Sequence, residues 1–303
     1  MKLPLSAAAL AFALTLVGTA RARLLETVPN DTYGTVQEAV DAAAAETDGG
    51  IITVKRGTYT DALTLKSGVT VQGEETAQTI LRGGIAADGG GILQGCTISG
   101  EGAVFSGAQG IEVRGNIFKD ISGVALNLQR TKNATVANNT FYNTGTALTL
   151  GSSSGLIQAN LFRNNGTAVS WDNDPGISFE VNFFDRQSQD PTEDTTADRD
   201  PLLVAPDSGD FHLALGSPCI DGAAGAGIQD PDNSDADQGA YGGPNADPRP
   251  FPVAGLTVEM DSGGTAATLT WSANLAYSTT GYGVYYGPTS AYNGSSAANG
   301  ASP

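Results

Sequence analysis

The segment Ile111-Glu-Val-Arg-Gly-Asn-Ile-Phe118 is the first of four similar lines that follow one another along the chain. Its asparagine recurs at positions 116, 139, 160 and 182, and its phenylalanine recurs at positions 118, 141, 162 and 184. A second column follows the first three lines and reads Gly123-Val-Ala-Leu-Asn-Leu128, Gly145-Thr-Ala-Leu-Thr-Leu150 and Gly166-Thr-Ala-Val-Ser-Trp171. Two columns in step define an internal repeat of about 22 residues.

Each repeat consists of short β-rich runs that end at Gly or Asn, without helical periodicity. Strands that return once per repeat stack about 4.8 Å apart, and parallel crossovers are right-handed in nearly all proteins. The pattern therefore predicts an all-β fold, a right-handed parallel β-helix built as a single-stranded solenoid. Because Asn tolerates a left-handed backbone and can hydrogen-bond along a stack, we expect the repeated asparagines at the corners between strands.

Alternation along the second column assigns its side chains to two faces. The inward set is predicted to be Val124, Leu126, Leu128, Thr146, Leu148 and Leu150. The outward set is predicted to be Ala125, Asn127, Ala147, Thr149, Ala168 and Ser170. Small outward residues would make this face flat and accessible.

The beginning and the end of the predicted β-helix each contain sequence that resembles a known group of proteins. Thr35-Val-Gln-Glu38 is a capping box, which predicts an amphipathic N-terminal capping helix over the first coil. Together with Val54-Lys-Arg-Gly-Thr-Tyr59, it resembles the beginning of secreted pectate-lyase-like β-helix proteins. The segments Asp200–Val204, Gly209–Leu213, Ser217–Asp221 and Gly239–Gly242 resemble the closing segment of the same bacterial group. The resemblance implies the fold and no single activity, since the group includes lyases, hydrolases and binding proteins.

The chain divides into three predicted regions. Residues 1–22 match a secretory signal peptide, with a positive start, an apolar run and Ala20-Arg-Ala22, which predicts a secreted, extracellular or periplasmic protein. Residues 23–247 form the β-helix with its closing segment. Residues 248–303 resemble the first strands of a fibronectin type III module, with Trp271 as its core tryptophan. Because such a sandwich needs ~100 residues, we expect an incomplete β-sandwich-like segment with a flexible tail.

Charge and cysteine content limit the partners. The formal net charge is −17, which argues against nucleic acid and anionic membranes because phosphate binding needs clustered Lys and Arg. After the signal peptide no apolar run is long enough to span a bilayer, and we expect a monomer. Cys96 and Cys219 lie several coils apart, so we expect both thiols to be largely buried and outside disulfide bonds.

One candidate catalytic set follows the flat outward face. Asp172 and Asp174 could act as acid and base or bind a cation, with Arg163 as a base or charge clamp. A turn closing the coil is the simpler interpretation of the two aspartates, and Trp171 is more simply a core or rim residue than a sugar platform. The enzymes of the resembling group use a Ca²⁺-binding Asp cluster with an Arg base, or grouped Asp with Gly-His-Gly. Neither pattern is present, and the only histidine, His212, lies in the closing segment.

Two further sets are candidates for binding. One is a carbohydrate-binding set along the coils, with Tyr142 stacked between two cations and amide or hydroxyl groups nearby: Lys119, Asn127, Tyr142, Thr149 and Arg163. A solvated, charge-paired surface is its alternative. The other set is the acidic run Asp230, Asp232, Asp235 and Asp237, which is either a solvated acidic turn or a structural Ca²⁺ site.

Two classes of function remain open. The first is an exported, non-catalytic β-helix with a structural, adhesive or carbohydrate-binding role toward an extracellular polysaccharide or cell-surface component. The second is a polysaccharide lyase or glycoside hydrolase that acts on such a polysaccharide. The absence of a recognisable catalytic set favours the first class, and convergence of Arg163, Asp172 and Asp174 in one cleft would favour the second.

Overall fold

A computed structural model describes residues 23–172, 176–185, 200–244 and 246, together with four short strands between 257 and 300. The predicted signal peptide and Trp271 lie outside the described residues. The elements, in chain order, are β1 (Leu24–Val28), α1 (Val36–Ala45), β2 (Gly50–Val54), β3 (Gly57–Tyr59), β4 (Leu63–Lys66), β5 (Val69–Gly73), β6 (Thr79–Leu81), β7 (Ile85–Asp88), β8 (Gly91–Gln94), β9 (Thr97–Ile98), β10 (Ala103–Ser106), β11 (Ile111–Arg114), β12 (Ile117–Lys119), β13 (Val124–Gln129), β14 (Ala134–Ala137), β15 (Thr140–Tyr142), β16 (Thr146–Gly151), β17 (Gly155–Gln158), β18 (Leu161–Arg163), β19 (Thr167–Trp171), β20 (Ile177–Glu180), β21 (Phe183–Phe184), β22 (Leu203–Ala205), a 3₁₀ turn (Pro206–Ser208), β23 (Asp210–Leu213), β24 (Thr257–Met260), β25 (Ala267–Thr270), β26 (Val284–Tyr286) and β27 (Ala298–Gly300).

The predicted right-handed parallel β-helix is confirmed, with about seven coils wound from three parallel sheets. Sheet A runs β1-β2-β5-β8-β11-β14-β17-β20, sheet B runs β21-β18-β15-β12-β9-β6-β3, and sheet C runs β19-β16-β13-β10-β7-β4. Each coil passes from A to B to C. The four strands β24 to β27 form two antiparallel pairs, and the predicted fibronectin-like character of that region stays a prediction.

The repeated asparagines form a ladder at the corner between sheets A and B, buried at Asn116, Asn139 and Asn160 and half-buried at Asn182. The Asn116 backbone N–H donates to Asn139 Oδ1 at 3.0 Å, Asn139 N–H donates to Asn160 Oδ1 at 2.9 Å, and Asn160 N–H donates to Asn182 Oδ1 at 3.0 Å. The predicted hydrogen bonding from coil to coil is thus confirmed. The prediction that these asparagines themselves adopt the left-handed backbone conformation is wrong. At each corner the left-handed residue is the one before the ladder asparagine: Gly115, Asn138, Ala159 and Val181.

Inside the solenoid, the repeated phenylalanines stack along the axis. The ring centroids of Phe118 and Phe141 are 4.9 Å apart, those of Phe141 and Phe162 are 4.9 Å apart, and Phe184 continues the stack at 4.7 Å. These spacings match the distance between coils, so each ring packs on its equivalent in the next coil. The stack therefore fixes the inward face of sheet B, which carries the four repeated phenylalanines.

The predicted faces of sheet C are correct for most residues and wrong at the beginning of each strand. Leu126, Leu128, Leu148 and Leu150 are buried, and Asn127, Thr149 and Ser170 face outward. However, Ala125, Ala147 and Ala168 are fully buried, whereas Val124 and Thr146 are half-exposed. The second and third residues of each strand are both buried, so strict alternation of burial holds only from the third residue.

The N-terminal helix covers the first coils as predicted. The Thr35 hydroxyl accepts a hydrogen bond from Glu38 N–H at 3.2 Å, and the Glu38 carboxylate accepts one from Thr35 N–H at 3.0 Å, which completes the capping box. The helix buries Val36, Ala39, Val40 and Ala43 and packs against strands β1, β2, β4 and β5. The part of the chain that the structure describes contains no helix long and apolar enough to cross a bilayer.

Candidate functional site

The closing segment, residues 200–246, packs along the outer face of sheet B. The outward residues of four successive strands, Ile117, Thr140, Leu161 and Phe183, are all buried. Phe211, Ala240 and Tyr241 pack with Ile117, and Leu213 and Cys219 pack with Leu161 and Phe183. Two hydrogen bonds add to this packing, from Gly239 N–H to the Ala159 carbonyl and from Ala240 N–H to the Thr140 hydroxyl, both at 2.9 Å.

The predicted strip of Lys119, Tyr142 and Arg163 exists as a column but holds the closing segment. The three residues pair in register on β12, β15 and β18. The Tyr142 hydroxyl donates to Asp207 at 2.6 Å, Arg163 Nη1 donates to Asp200 at 2.9 Å, and Lys119 Nζ lies 5.6 Å from the Phe211 ring centroid. Burial, aided by Asp207, raises the pKa of Tyr142 to about 12. These contacts give the strip a structural role in docking the closing segment.

Asn127 and Thr149, the other two predicted binding residues, lie on a different sheet. They are register partners on β13 and β16 and are half-exposed on the outer face of sheet C. The Asn127 side chain accepts a hydrogen bond from Gln129 Nε2 at 2.9 Å. The five residues predicted to bind carbohydrate are therefore divided between two sheets.

The structure does not bring Arg163 and Asp172 together. Arg163 ends β18 in sheet B and is ion-paired with Asp200, whereas Asp172 follows β19 in sheet C. The whole of β19 separates these two corners of the coil, and Asp172 Oδ2 accepts a hydrogen bond from Ser152 N–H at 3.3 Å. Asp174 lies outside the described residues. Trp171 packs against Phe179 with a centroid distance of 5.0 Å, which supports its interpretation as a rim residue.

The acidic run is divided into two buried and two more exposed aspartates. Asp230 and Asp237 are buried, Asp232 caps a turn by accepting from Ser234, and Asp235 is exposed. Asp230 accepts hydrogen bonds from Gly243 N–H at 2.5 Å and Asp237 N–H at 3.2 Å, and Asp237 accepts from Asp221 N–H at 2.8 Å. Burial raises the pKa of Asp230 to about 6 and that of Asp237 to about 7.

These contacts make Asp230 and Asp237 anchors of the closing segment. Among the described residues, no three His, Cys, Asp or Glu side chains form a group that could hold a metal ion. Binding of Ca²⁺ by Asp230, Asp232, Asp235 and Asp237 stays a prediction that this geometry does not favour.

The single histidine and the two cysteines are packed against or buried in the fold. His212 stacks on Tyr241 with ring centroids 3.7 Å apart, and its Nδ1 lies 2.5 Å from Asp210 Oδ1. Cys96 and Cys219 are both buried and neither is in a disulfide, as predicted. Burial raises the pKa of the Cys96 thiol to about 12, so this group is not a thiolate nucleophile.

A groove of about 390 Å³ lies between the outer face of sheet A and the closing segment. We call it the sheet A groove. Its solenoid side is formed by three successive coils, and its other wall is formed by two loops of the closing segment. The lining residues are Arg114, Gly115, Thr135, Ala137, Asn138 and Gln158 from the solenoid, with Gly227, Ile228, Gln229, Gly242 and Pro244 from the closing segment.

The groove offers neutral hydrogen-bonding groups beside a few apolar ones. Gln158, Gln229 and Thr135 contribute amides and a hydroxyl, and Ala137, Ile228 and Pro244 contribute apolar surface. The Arg114 guanidinium is ion-paired with Glu112, which compensates its charge. None of the described residues that line the groove is Asp, Glu, His or Cys. Such a surface suits a hydroxyl-rich ligand.

Sequence reasoning did not identify this groove. The alignment of Arg114, Ala137 and Gln158 follows from the repeat, because these residues hold the same position in successive lines. The wall formed by residues 227–229 and 242–244 has no counterpart in the repeat. Only the packing of the closing segment on sheet B brings these loops beside sheet A.

A comparison with protein-family models agrees with the fold. The family model described as right handed beta helix region matches residues 64–188. A search of curated proteins finds no match. Among solved structures, the chain is similar to a mutant of AlyGC, a PL6 family alginate lyase, with 13% sequence identity and a TM-score of 0.28. That match covers 55% of this chain and 39% of the lyase chain, so the chain matches well under half of the lyase's length.

Proposed function

We propose that this protein is an exported, non-catalytic β-helix that binds carbohydrate, and that the sheet A groove holds a neutral oligosaccharide. The single observation that carries this proposal is the lining of the groove. Amide, hydroxyl and charge-compensated guanidinium groups from three coils face a wall that contains Ile228 and Pro244. Sugars present hydroxyl groups at the ring edge and C–H groups on the ring face, so this mixture is complementary to them.

Charge supports a neutral ligand over a uronate polymer. The chain carries a formal net charge of −17, and Arg114, the one cationic side chain among the described residues of the groove lining, is paired with Glu112. A polyanion would meet long-range repulsion without an unpaired cation in the lining to offset it. The separation of Arg163 from Asp172 likewise favours binding without catalysis.

Replacing Gln158 with alanine tests the groove. We expect the affinity for neutral oligosaccharides, measured by isothermal titration calorimetry, to fall about fivefold to tenfold, because an amide that bonds to the ligand is worth about 1 kcal/mol. Gln129→Ala is the matched control, since Gln129 is a half-exposed glutamine on the outer face of sheet C. We expect it to leave the affinity unchanged.

Two results would contradict the proposal. Loss of affinity in Gln129→Ala but not in Gln158→Ala would place binding on sheet C, where Asn127 and Thr149 lie. Release of unsaturated uronates from an acidic polysaccharide, abolished by Asp172→Ala, would show that the protein is a lyase.

A further inference from the structure

The groove lies on a polar column that extends along the outer face of sheet A. Strand register aligns one outward residue per coil, in the order Thr53, Gln72, Gln94, Arg114, Ala137, Gln158 and Glu180. Arg114, Ala137 and Gln158 line the groove, and Gln94, Gln72 and Thr53 continue the column toward the N-terminus. From Thr53 to Gln158 the column spans five coil spacings, or about 24 Å.

The residues of this extension are linked by side-chain hydrogen bonds. Gln94 Nε2 donates to Gln72 Oε1 at 2.9 Å, and Gln72 Nε2 donates to the Thr53 hydroxyl at 3.0 Å. This ladder engages one N–H and the carbonyl oxygen of Gln72, whereas an amide has two N–H donors and two lone pairs. The ladder therefore orders the two amides in one row, and its bonds leave one N–H and one lone pair of the Gln72 amide outside the row.

Beside the polar column runs a second outward column with aliphatic members. Ile51, Ile92 and Leu156 are half-exposed there, with Thr70, Glu112 and Thr135 between them. An amide row next to aliphatic side chains repeats, along the axis, the mixture of polar and apolar groups found in the groove. The two columns contain one cation, Arg114, and its partner Glu112 lies in the neighbouring column.

We propose that the sheet A groove is the walled end of a longer track, and that a linear neutral polysaccharide lies along this track parallel to the solenoid axis. The chain of sugars contacts Gln158 and Gln229 in the groove and continues over Gln94 and Gln72. This inference rests on the proposed carbohydrate-binding function. It adds the shape of the ligand, because a track of about 24 Å accommodates an oligosaccharide rather than a single sugar.

The test is the dependence of affinity on ligand length. The probes are β-1,4-linked gluco-, manno- and xylo-oligosaccharides, each as disaccharide and hexasaccharide, titrated into the full chain by calorimetry. We expect the hexasaccharide of the recognised series to bind at least tenfold more tightly than its disaccharide. Gln94→Ala is expected to weaken hexasaccharide binding about fivefold and to leave disaccharide binding unchanged. Gln158→Ala is expected to weaken both.

Gln72→Ala serves as a second variant of the track, and Gln129→Ala is again the control, with thermal unfolding to verify that each variant is folded. Equal affinities for disaccharide and hexasaccharide, or an unchanged hexasaccharide affinity in both track variants, would overturn the track and leave the groove in place. Failure of every neutral series to bind would overturn both proposals. Tighter binding of an oligogalacturonate hexasaccharide than of the neutral hexasaccharides would overturn the proposal that the ligand is neutral.

Discussion

Replacing Asn139 with alanine is expected to lower the free energy of unfolding by about 3 to 5 kcal/mol, a large part of the stability of a typical domain. The fully buried Asn139 side chain accepts from both the N–H and the Nδ2 of Asn116, at 3.0 and 3.1 Å. It donates to Asn160 Oδ1 at 3.0 Å and to the carbonyls of Val113 and Ala137 at 2.8 and 3.0 Å. Truncation leaves the Asn116 N–H without this acceptor in a buried corner, which costs more than the lost bonds alone.

The measurement is urea unfolding followed by circular dichroism, with Asn127→Ala as the control. Asn127 is half-exposed on sheet C and its side chain accepts a hydrogen bond from Gln129, so its removal should change stability by less than about 0.5 kcal/mol. Equal, small effects of the two substitutions would show that the ladder does not stabilise the solenoid.

A second large effect is expected from pH, acting through Asp230 and Asp237. Burial is the main cause that raises their pKa values to about 6 and about 7, and the neighbouring carboxylates Asp221 and Asp232 add to it. An unfolded aspartate titrates near pH 4, roughly. Between about pH 4 and pH 7 the folded chain therefore holds protons that the unfolded chain has lost, and stability falls as pH rises through this range. Each pKa unit corresponds to about 1.4 kcal/mol, so the pair changes stability by several kcal/mol.

Because the two carboxyl groups interact, their titration belongs to the pair, and one substitution changes both. Asp237→Asn keeps an oxygen for the Asp221 N–H and cannot ionise, so we expect a flatter pH profile and higher stability than the wild type above about pH 7. Asp61→Asn, at an exposed carboxylate, is the control and should follow the wild-type profile.

Hydrogen exchange as a function of pH localises this effect. Amides of residues 221–243 are expected to lose protection as pH rises, while those of the asparagine ladder keep theirs. A wild-type profile that is flat between about pH 4 and pH 8, or one that Asp237→Asn leaves unchanged, would contradict the assignment.

The errors of the sequence-based predictions have identifiable physical causes. Ala125 and Ala147 were assigned to the solvent face by strict alternation, but both are buried in the main hydrophobic core, because alternation does not hold for the first residues after a corner. The binding strip of Lys119, Tyr142 and Arg163 was aligned correctly from the repeat, yet its partners are Phe211, Asp207 and Asp200 in the closing segment. A repeat shows which side chains share a column, and it does not show what packs on that column.

The repeat alone was sufficient to predict the coils and the hydrogen bonding of the asparagines from coil to coil. These features depend on contacts between equivalent residues about 22 positions apart, and such contacts impose the same residue type at the same position in every line. The position of the closing segment was decided only by the tertiary structure, through contacts such as the hydrogen bond from Asn138 Nδ2 to the Asp237 carbonyl, 99 positions away. Such a contact occurs once in the chain, so it leaves no repeated pattern in the sequence. The covered outer face of sheet B and the sheet A groove both result from this position of the closing segment.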